Sequence, residues 1–229
     1  MNIDNIKKEF PIFDEKIQNN DLVYLDSANS SQKPRVVIDR IYDFYSKEFS
    51  NVGRSVHYLA VAATNLYEST RTSVQKYINA KDKNEIVFTK GATEAINLVA
   101  NTFGQKYLEE GDEVLLTELE HHSNYVPWHF LRNSKKIKIE FAEINEAGEV
   151  TIEAIKNKIT NKTKIISVTH LSNVTGAILP IKEIVELAHS KNIPVLVDGC
   201  QGAPHLKLDM QKLDCDFYAI SGHKMYGPT

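Results

Sequence analysis

Ile220-Ser221-Gly222-His223-Lys224-Met225-Tyr226-Gly227-Pro228-Thr229 closes the chain, and its reading decides the rest. A short apolar run, Phe217 to Ile220, stops at small and polar residues, and one lysine then stands between a histidine and a Gly-Pro turn. Open α/β sheets bind ligands outside the carboxyl ends of their strands, so a lysine just past a buried strand sits at an active-site edge. Free lysine, with a pKa of about 10.4, is a poor nucleophile. Desolvation, or condensation with a carbonyl, makes it useful. Taken alone, the stretch reads better as a solvated loop, where most lysines are found.

Two earlier stretches change that balance. Ile193-Pro-Val-Leu-Val-Asp198-Gly-Cys-Gln201 is an apolar run ending in a carboxylate, and Phe88-Thr-Lys-Gly91-Ala92-Thr93-Glu94 joins a strand candidate to a helix candidate through small residues. A lysine, a strand-end aspartate and a helix N-terminus open to an anion match the parts of pyridoxal 5'-phosphate. Its aldehyde takes the lysine, its ring nitrogen the aspartate, and its phosphate the helix end. Thr93 by itself reads equally well as an ordinary N-cap.

Working outward, the pattern from Glu85 onward alternates. Strand candidates are Glu85–Thr89, Glu113–Thr117, Ile137–Ala142, Thr163–Thr169, Ile193–Val197 and Phe217–Ile220. Between them lie helix candidates Thr93–Tyr107, Tyr125–Arg132, Ile152–Ile159 and Ile181–Ser190, and a short connector around Asp209–Leu213. Such alternation predicts a mostly parallel sheet with helices on both faces. Before it, Asn2 to Phe10 reads as a short amphipathic helix ended by Pro11, and Leu22 to Leu25 as a short strand. Pro34 takes the first position of a helix, and a long helix begins near Leu59. The expected domains are a helical segment over 1–58 and a large domain over 59–229.

With 42% hydrophobic and 25% charged residues, the composition is that of a globular protein with a sizeable core. A net charge of -3 argues against nucleic acid or an anionic membrane as partner. No apolar stretch approaches the roughly 18 residues of a membrane span, and the N-terminus lacks the pattern of a signal peptide. Two cysteines, Cys200 and Cys215, do not make a disulfide framework and fit a reducing cytoplasm. No histidine or cysteine group has zinc spacing, so no metal is expected.

Leu25-Asp-Ser-Ala28, Gly91-Ala-Thr-Glu-Ala-Ile-Asn97, Glu120-His-His-Ser-Asn124, Thr169-His-Leu-Ser-Asn173, Val197-Asp-Gly-Cys-Gln201 and Ser221-Gly-His-Lys-Met-Tyr-Gly-Pro228 run in that order. Together they resemble the class V aminotransferase family, and within it the Suf-type cysteine desulfurases. The resemblance covers the whole chain. It implies the large domain of a fold-type I pyridoxal-phosphate transferase, cut before its small C-terminal domain, and therefore an inactive fragment. It further implies desulfuration of L-cysteine to L-alanine, with a persulfide passed to a sulfur-acceptor protein of iron–sulfur assembly, in a cytoplasmic homodimer.

By the same resemblance, Ala92, Thr93, Ser221 and His223 meet the phosphate and Lys224 bonds the cofactor. Asp198 meets the ring nitrogen and Gln201 the ring oxygen. Asn173 reaches the substrate carboxylate or the ring, and His121 covers the ring face and moves protons. Cys200 stands where the family commonly has alanine, so it reads as packed rather than nucleophilic, and Cys215 reads as core. Gly53 stands where Suf-type relatives often carry histidine. Related scaffolds act on selenocysteine or as aminotransferases, and a chain binding cofactor without turnover is the remaining alternative.

Overall fold

A computed structural model describes residues 3–229. The chain divides into two compact units. One takes the chain through Tyr77 together with Asp82–Ile86 and Gly222–Thr229; the other takes Ile78–Lys81 and Val87–Ser221.

The first unit is mainly helical. It holds α1 (Ile3–Lys7), an antiparallel pair of short strands, β1 (Lys16–Ile17) and β2 (Asn20–Asp21), then α2 (Arg35–Asp43) and α3 (Tyr58–Tyr77). Asn2, expected to begin the first helix, lies outside the described residues. Pro34 is the N-cap of α2 rather than its first turn. The strand expected over Leu22–Leu25 does not form. Pairing stops at Asp21, and Leu25 is 90% exposed. An apolar run becomes a strand only where a neighbouring edge takes up its N–H and C=O groups.

Glu85–Thr89 is likewise not a strand. Lys83–Glu85 makes a 3-10 turn capped by the Asp82 side chain, and of the stretch that follows only Ile86 is buried, with Val87 66% exposed.

The second unit is built on a five-stranded, all-parallel sheet in the order β4-β3-β5-β6-β7. Its helices and strands, in chain order, begin with α4 (Ala92–Val99), which passes through a π-helical turn at Ala100–Gly104 into α5 (Gln105–Tyr107). Then come β3 (Glu113–Thr117), α6 (His122–Lys135), β4 (Lys138–Ala142), α7 (Ile152–Lys158) and β5 (Thr163–Thr169). The unit finishes with α8 (Ile181–His189), β6 (Val195–Asp198), α9 (Gly202–His205), α10 (Met210–Leu213) and β7 (Phe217–Ala219).

Alternation along the strands assigns side chains to two faces. Leu115, Ile166, Val168, Val195 and Val197 pack with Ile155 of α7 and with Ile181, Ile184, Val185 and Ala188 of α8. Those four α8 residues recur at the spacing of one helical face. Val114, Leu116, Ile165, Leu196 and Ala219 pack on the other side with Ile96 of α4 and Trp128 and Leu131 of α6. Both faces are therefore covered, which is why β3 and β6 are buried along their whole length. The parallel register brings the carboxyl ends of β3, β5, β6 and β7 to one side of this unit, and the polar residues Thr117, Thr169 and Asp198 stand there.

Candidate active site

Asp198 ends β6 and is only 3% exposed. Its Oδ1 accepts the backbone N–H of Cys200 at 3.0 Å, and its carbonyl accepts the N–H of His170 at 2.9 Å. The Gly199 N–H donates to the carbonyl of Ala219 at 2.9 Å, which extends the ladder past the strand. A Cβ on Gly199 would lie 1.9 Å from Cε1 of Tyr218, so only glycine permits this turn against that ring. The Tyr218 hydroxyl lies 2.7 Å from Nδ1 of His170. Burial pushes the His170 imidazole down and the Tyr218 phenol up, leaving both neutral near pH 7. The phenol therefore donates to an unprotonated Nδ1, and the pair buttresses the turn that carries Asp198.

The head of α4 has no side-chain cap, and the Glu94 carboxylate of its first turn accepts the Lys90 N–H. Gly91 is its N-cap and supplies no side-chain bond, so Ala92 and Thr93 occupy the first turn and Thr93 is not the cap. Gly91 has φ 151°, and a Cβ there would reach within 3.8 Å of Ser221 Oγ. That is ordinary contact, so it is the φ rather than the space that favours glycine here. The Ala92 N–H donates to Ser221 Oγ at 3.2 Å, and the Cys200 thiol donates to the same oxygen at 3.5 Å. The structure thus brings Ala92, Ser221 and Cys200 together, with Asp198 held beside Cys200. Thr93 is exposed at the same helix end.

His121 is the N-cap of α6. Its Nδ1 accepts the N–H of Ser123 at 3.1 Å and lies 2.8 Å from Ser123 Oγ. An accepting Nδ1 places the proton of the neutral ring on Nε2. The His122 ring lies nearly perpendicular to that of His121, with centroids 6.1 Å apart, so the two do not present one surface.

Sequence reasoning missed the residue just before this pair. Glu120 Oε1 accepts from Thr117 Oγ1 at 2.6 Å and from the Thr169 N–H at 3.0 Å, and Oε2 accepts from Asn124 Nδ2 at 2.6 Å. Burial pushes its carboxyl up to about 7, its three donors pull the other way, and the charge of Asp198 adds to the rise. The available signal was local: a threonine three residues before and an asparagine four residues after, both able to donate.

Gln201 is buried at the head of α9. Asn173 lies exposed in the Ser172–Gly176 turn, where Ser172 Oγ accepts the N–H groups of Val174 and Thr175. His223 and Lys224 belong to the other compact unit, at the end of the Gly222–Lys224 turn. Within that unit the His223 carbonyl accepts from Ser31 Oγ at 2.9 Å and from Lys33 Nζ at 2.7 Å. Burial lowers the His223 imidazole, and the charges of Lys224 and Lys33 lower it further. Ser31 and Lys33 were likewise missed, since nothing local in the sequence ties them to Lys224. Among the described residues no group of histidine, cysteine and acidic side chains has metal-binding geometry, and no helix is long and apolar enough to cross a membrane.

A parallel sheet covered on both faces by helices, with a buried carboxylate at the end of β6 and a helix head without a side-chain cap, defines an α/β scaffold. A class-V aminotransferase model matches residues 23–229, and the chain belongs to that family. The family's cofactor is pyridoxal 5'-phosphate. The chain is 47% identical over its whole length to a probable cysteine desulfurase of Halalkalibacterium halodurans, covering 56% of that relative. It is 46% identical to a cysteine desulfurase of Wigglesworthia glossinidia brevipalpis, covering 99% of this chain and 56% of the relative. Among solved structures, the cysteine desulfurase CsdA of Escherichia coli superposes with a TM-score of 0.88 at 38% identity. The apo cysteine desulfurase of Thermococcus onnurineus gives 0.91 at 35% identity. Both superpositions cover all of this chain and 56% of the other. The chain thus spans about half the length of the relatives it matches.

The residues present suit the family's cofactor. A helix head without a side-chain cap accepts a phosphate dianion. A buried strand-end carboxylate is costly unless it meets a positive partner, and a protonated pyridine nitrogen is one.

Proposed function

We propose that this chain carries the cofactor site of a pyridoxal-phosphate-dependent cysteine desulfurase. The reading rests on one observation above the others: the Ala92 N–H and the Ser221 hydroxyl meet at a helix head without a side-chain cap. The similarity to cysteine desulfurases along the whole chain supports it.

The residues then divide the work. The N–H groups of Ala92 and Thr93, with Ser221 and His223, hold the phosphate. The Asp198 carboxylate keeps the ring nitrogen protonated. When bound, the cofactor supplies an electron sink for bond-breaking at the amino acid. Gln201 donates to the ring oxygen, and Asn173 orients the substrate carboxylate. His121 would cover the ring face, where its Nε2–H can donate a hydrogen bond while Nδ1 remains held by the Ser123 N–H. Lys224 would hold the cofactor through Nζ and would be the residue to move protons at the substrate.

The net reaction takes sulfur from L-cysteine to an enzyme thiol, giving L-alanine and a persulfide, which a sulfur-acceptor protein of iron–sulfur assembly then removes. Neither Cys200 nor Cys215 is that thiol. The working form is a cytoplasmic homodimer, and residues 59–229 contribute its cofactor domain.

Product analysis tests the reading. The whole protein should release alanine and reducible sulfur in equal amounts from L-cysteine. Asp198→Asn should keep cofactor, since an amide oxygen still accepts from Cys200, yet lose turnover by about 100-fold or more. An Asp198→Asn variant with wild-type turnover would make this carboxylate structural and remove the reading's central charge.

A further inference from the structure

Glu120 is a half-buried titratable group to which the reading above gives no task. It is the hub of a polar network linking three elements. Thr117 ends β3, Thr169 ends β5, and Asn124 lies in the first turn of α6. The network continues inward, where Ser167 Oγ donates to Asn124 Oδ1 at 2.6 Å, both residues being fully buried. Asn124 also closes on the chain just before it, its N–H donating to the His121 carbonyl at 2.8 Å. β5 is thus tied to the chain around His121 twice, from the Thr169 N–H to the Glu120 carboxyl and from Ser167 directly to the Asn124 side chain, and Glu120 alone adds the end of β3 through Thr117.

We propose that Glu120 is a positioning residue for His121, fixing the head of α6 against the ends of β3 and β5 so that the His121 ring is held in place. This rests on the reading that gives His121 the cofactor face. The geometry favours the role over simple packing. An apolar side chain there would leave the Thr169 N–H, the Thr117 hydroxyl and the Asn124 amide without their acceptor, each at a cost. Burial disfavours the charged form of this glutamate, and its three donors offset part of that cost. The titratable groups around it are Asp198 at the end of β6, and Glu118, His122 and Tyr125, which line the same open cleft of about 430 Å³.

The variants separate positioning from bulk stability. Glutamine keeps an acceptor for Thr117 and Thr169, and an amide flip at Asn124 lets its oxygen face the new NH2, with Ser167 reorienting its hydroxyl. Alanine and aspartate do not reach. Amide hydrogen exchange of the cofactor-free chain is expected to speed up at least tenfold at Ser123 and Asn124 in Glu120→Ala, with shifted His121 imidazole resonances. Glu120→Gln should stay within about threefold of wild type. If Glu120→Ala does not fold, Glu120→Asp makes the same comparison.

In the protein loaded with pyridoxal phosphate, the cofactor absorbance should change in the alanine or aspartate variant and be retained in glutamine. Wild-type exchange and imidazole resonances in the short variants would overturn the proposal. Failure of the wild type to take up cofactor would instead overturn the functional reading, because the exchange arm needs no cofactor.

Discussion

The Ser31 hydroxyl donates to the His223 carbonyl at 2.9 Å, and the same oxygen atom accepts the Tyr226 N–H at 2.9 Å. Ser31 thus holds the backbone on both sides of Lys224, from a position 192 residues before His223. The Ser31 N–H adds a further bond to the His223 carbonyl at 3.2 Å, and Lys33 donates to it as well. Ser31→Ala leaves the Tyr226 N–H without this acceptor. Loss of stability by about 1–3 kcal/mol is expected, read from urea denaturation. Slower covalent capture of cofactor should accompany it. Wild-type values for both would show that the clamp is incidental.

Lys224 is expected to hold the cofactor covalently. Borohydride reduction of the loaded protein followed by peptide mapping should place the pyridoxyl group on Lys224. A label on Lys90, Lys207 or Lys212 instead would sink the assignment.

Gly199→Ala forces a methyl group into the Tyr218 ring, with the nearest ring carbon at 1.9 Å. Overpacking of this kind costs about 1–3 kcal/mol, and here the turn bearing Asp198 must move. Thermal melts should show the loss. Adding Tyr218→Val should restore part of it, because the two changes share one contact. Strict additivity in the double variant would mean that the ring does not constrain the turn.

Cys215 is pushed up to about 12, chiefly by burial and further by Asp216 and Asp214, while its own backbone pulls it down. It stays a thiol at neutral pH and should resist alkylation in the native state. Cys200 donates to Ser221 within the site. After incubation with L-cysteine and cofactor, mass spectrometry should find no added sulfur on either peptide. A persulfide on Cys200 would contradict the assignment of a separate carrier.

Glu120 also predicts a pH dependence of stability. Its folded pKa of about 7 lies above the ordinary 4.5. The folded state then binds the proton more tightly, so this contribution is complete below about pH 4.5 and is lost as pH rises through about 7. The change is at most about 3 kcal/mol. Denaturation midpoints measured across that window should fall less steeply in Glu120→Gln than in wild type. Parallel curves would place the titration elsewhere.

What the sequence determined by itself was whatever depends on local order. The alternation of apolar strands and amphipathic helices from Glu113 to Ala219 is a periodicity, and the parallel sheet with two covered faces follows from it. Asp198 was legible because a carboxylate ending an apolar run is unusual. Ala92 and Thr93 were legible because small residues opened a helix after an extended stretch.

Only the tertiary structure decided the rest. Val87-Phe88 and Val23-Tyr-Leu25 have strand composition, but a strand needs a partner edge, and pairing is not a property of one segment. Glu120 was given no role from the sequence, because β5 delivers the Thr169 N–H to it and α6 delivers Asn124 only in the fold. Ser31 carries no local mark in the sequence, and its bonds to His223 and Tyr226 close across nearly the whole chain. Tyr218 and Gly199 came from separate stretches, and only the β6–β7 pairing set the ring against the turn. Local pattern dictates elements; the acceptors and donors that complete a buried polar group come from distant segments, which only folding brings within 3 Å.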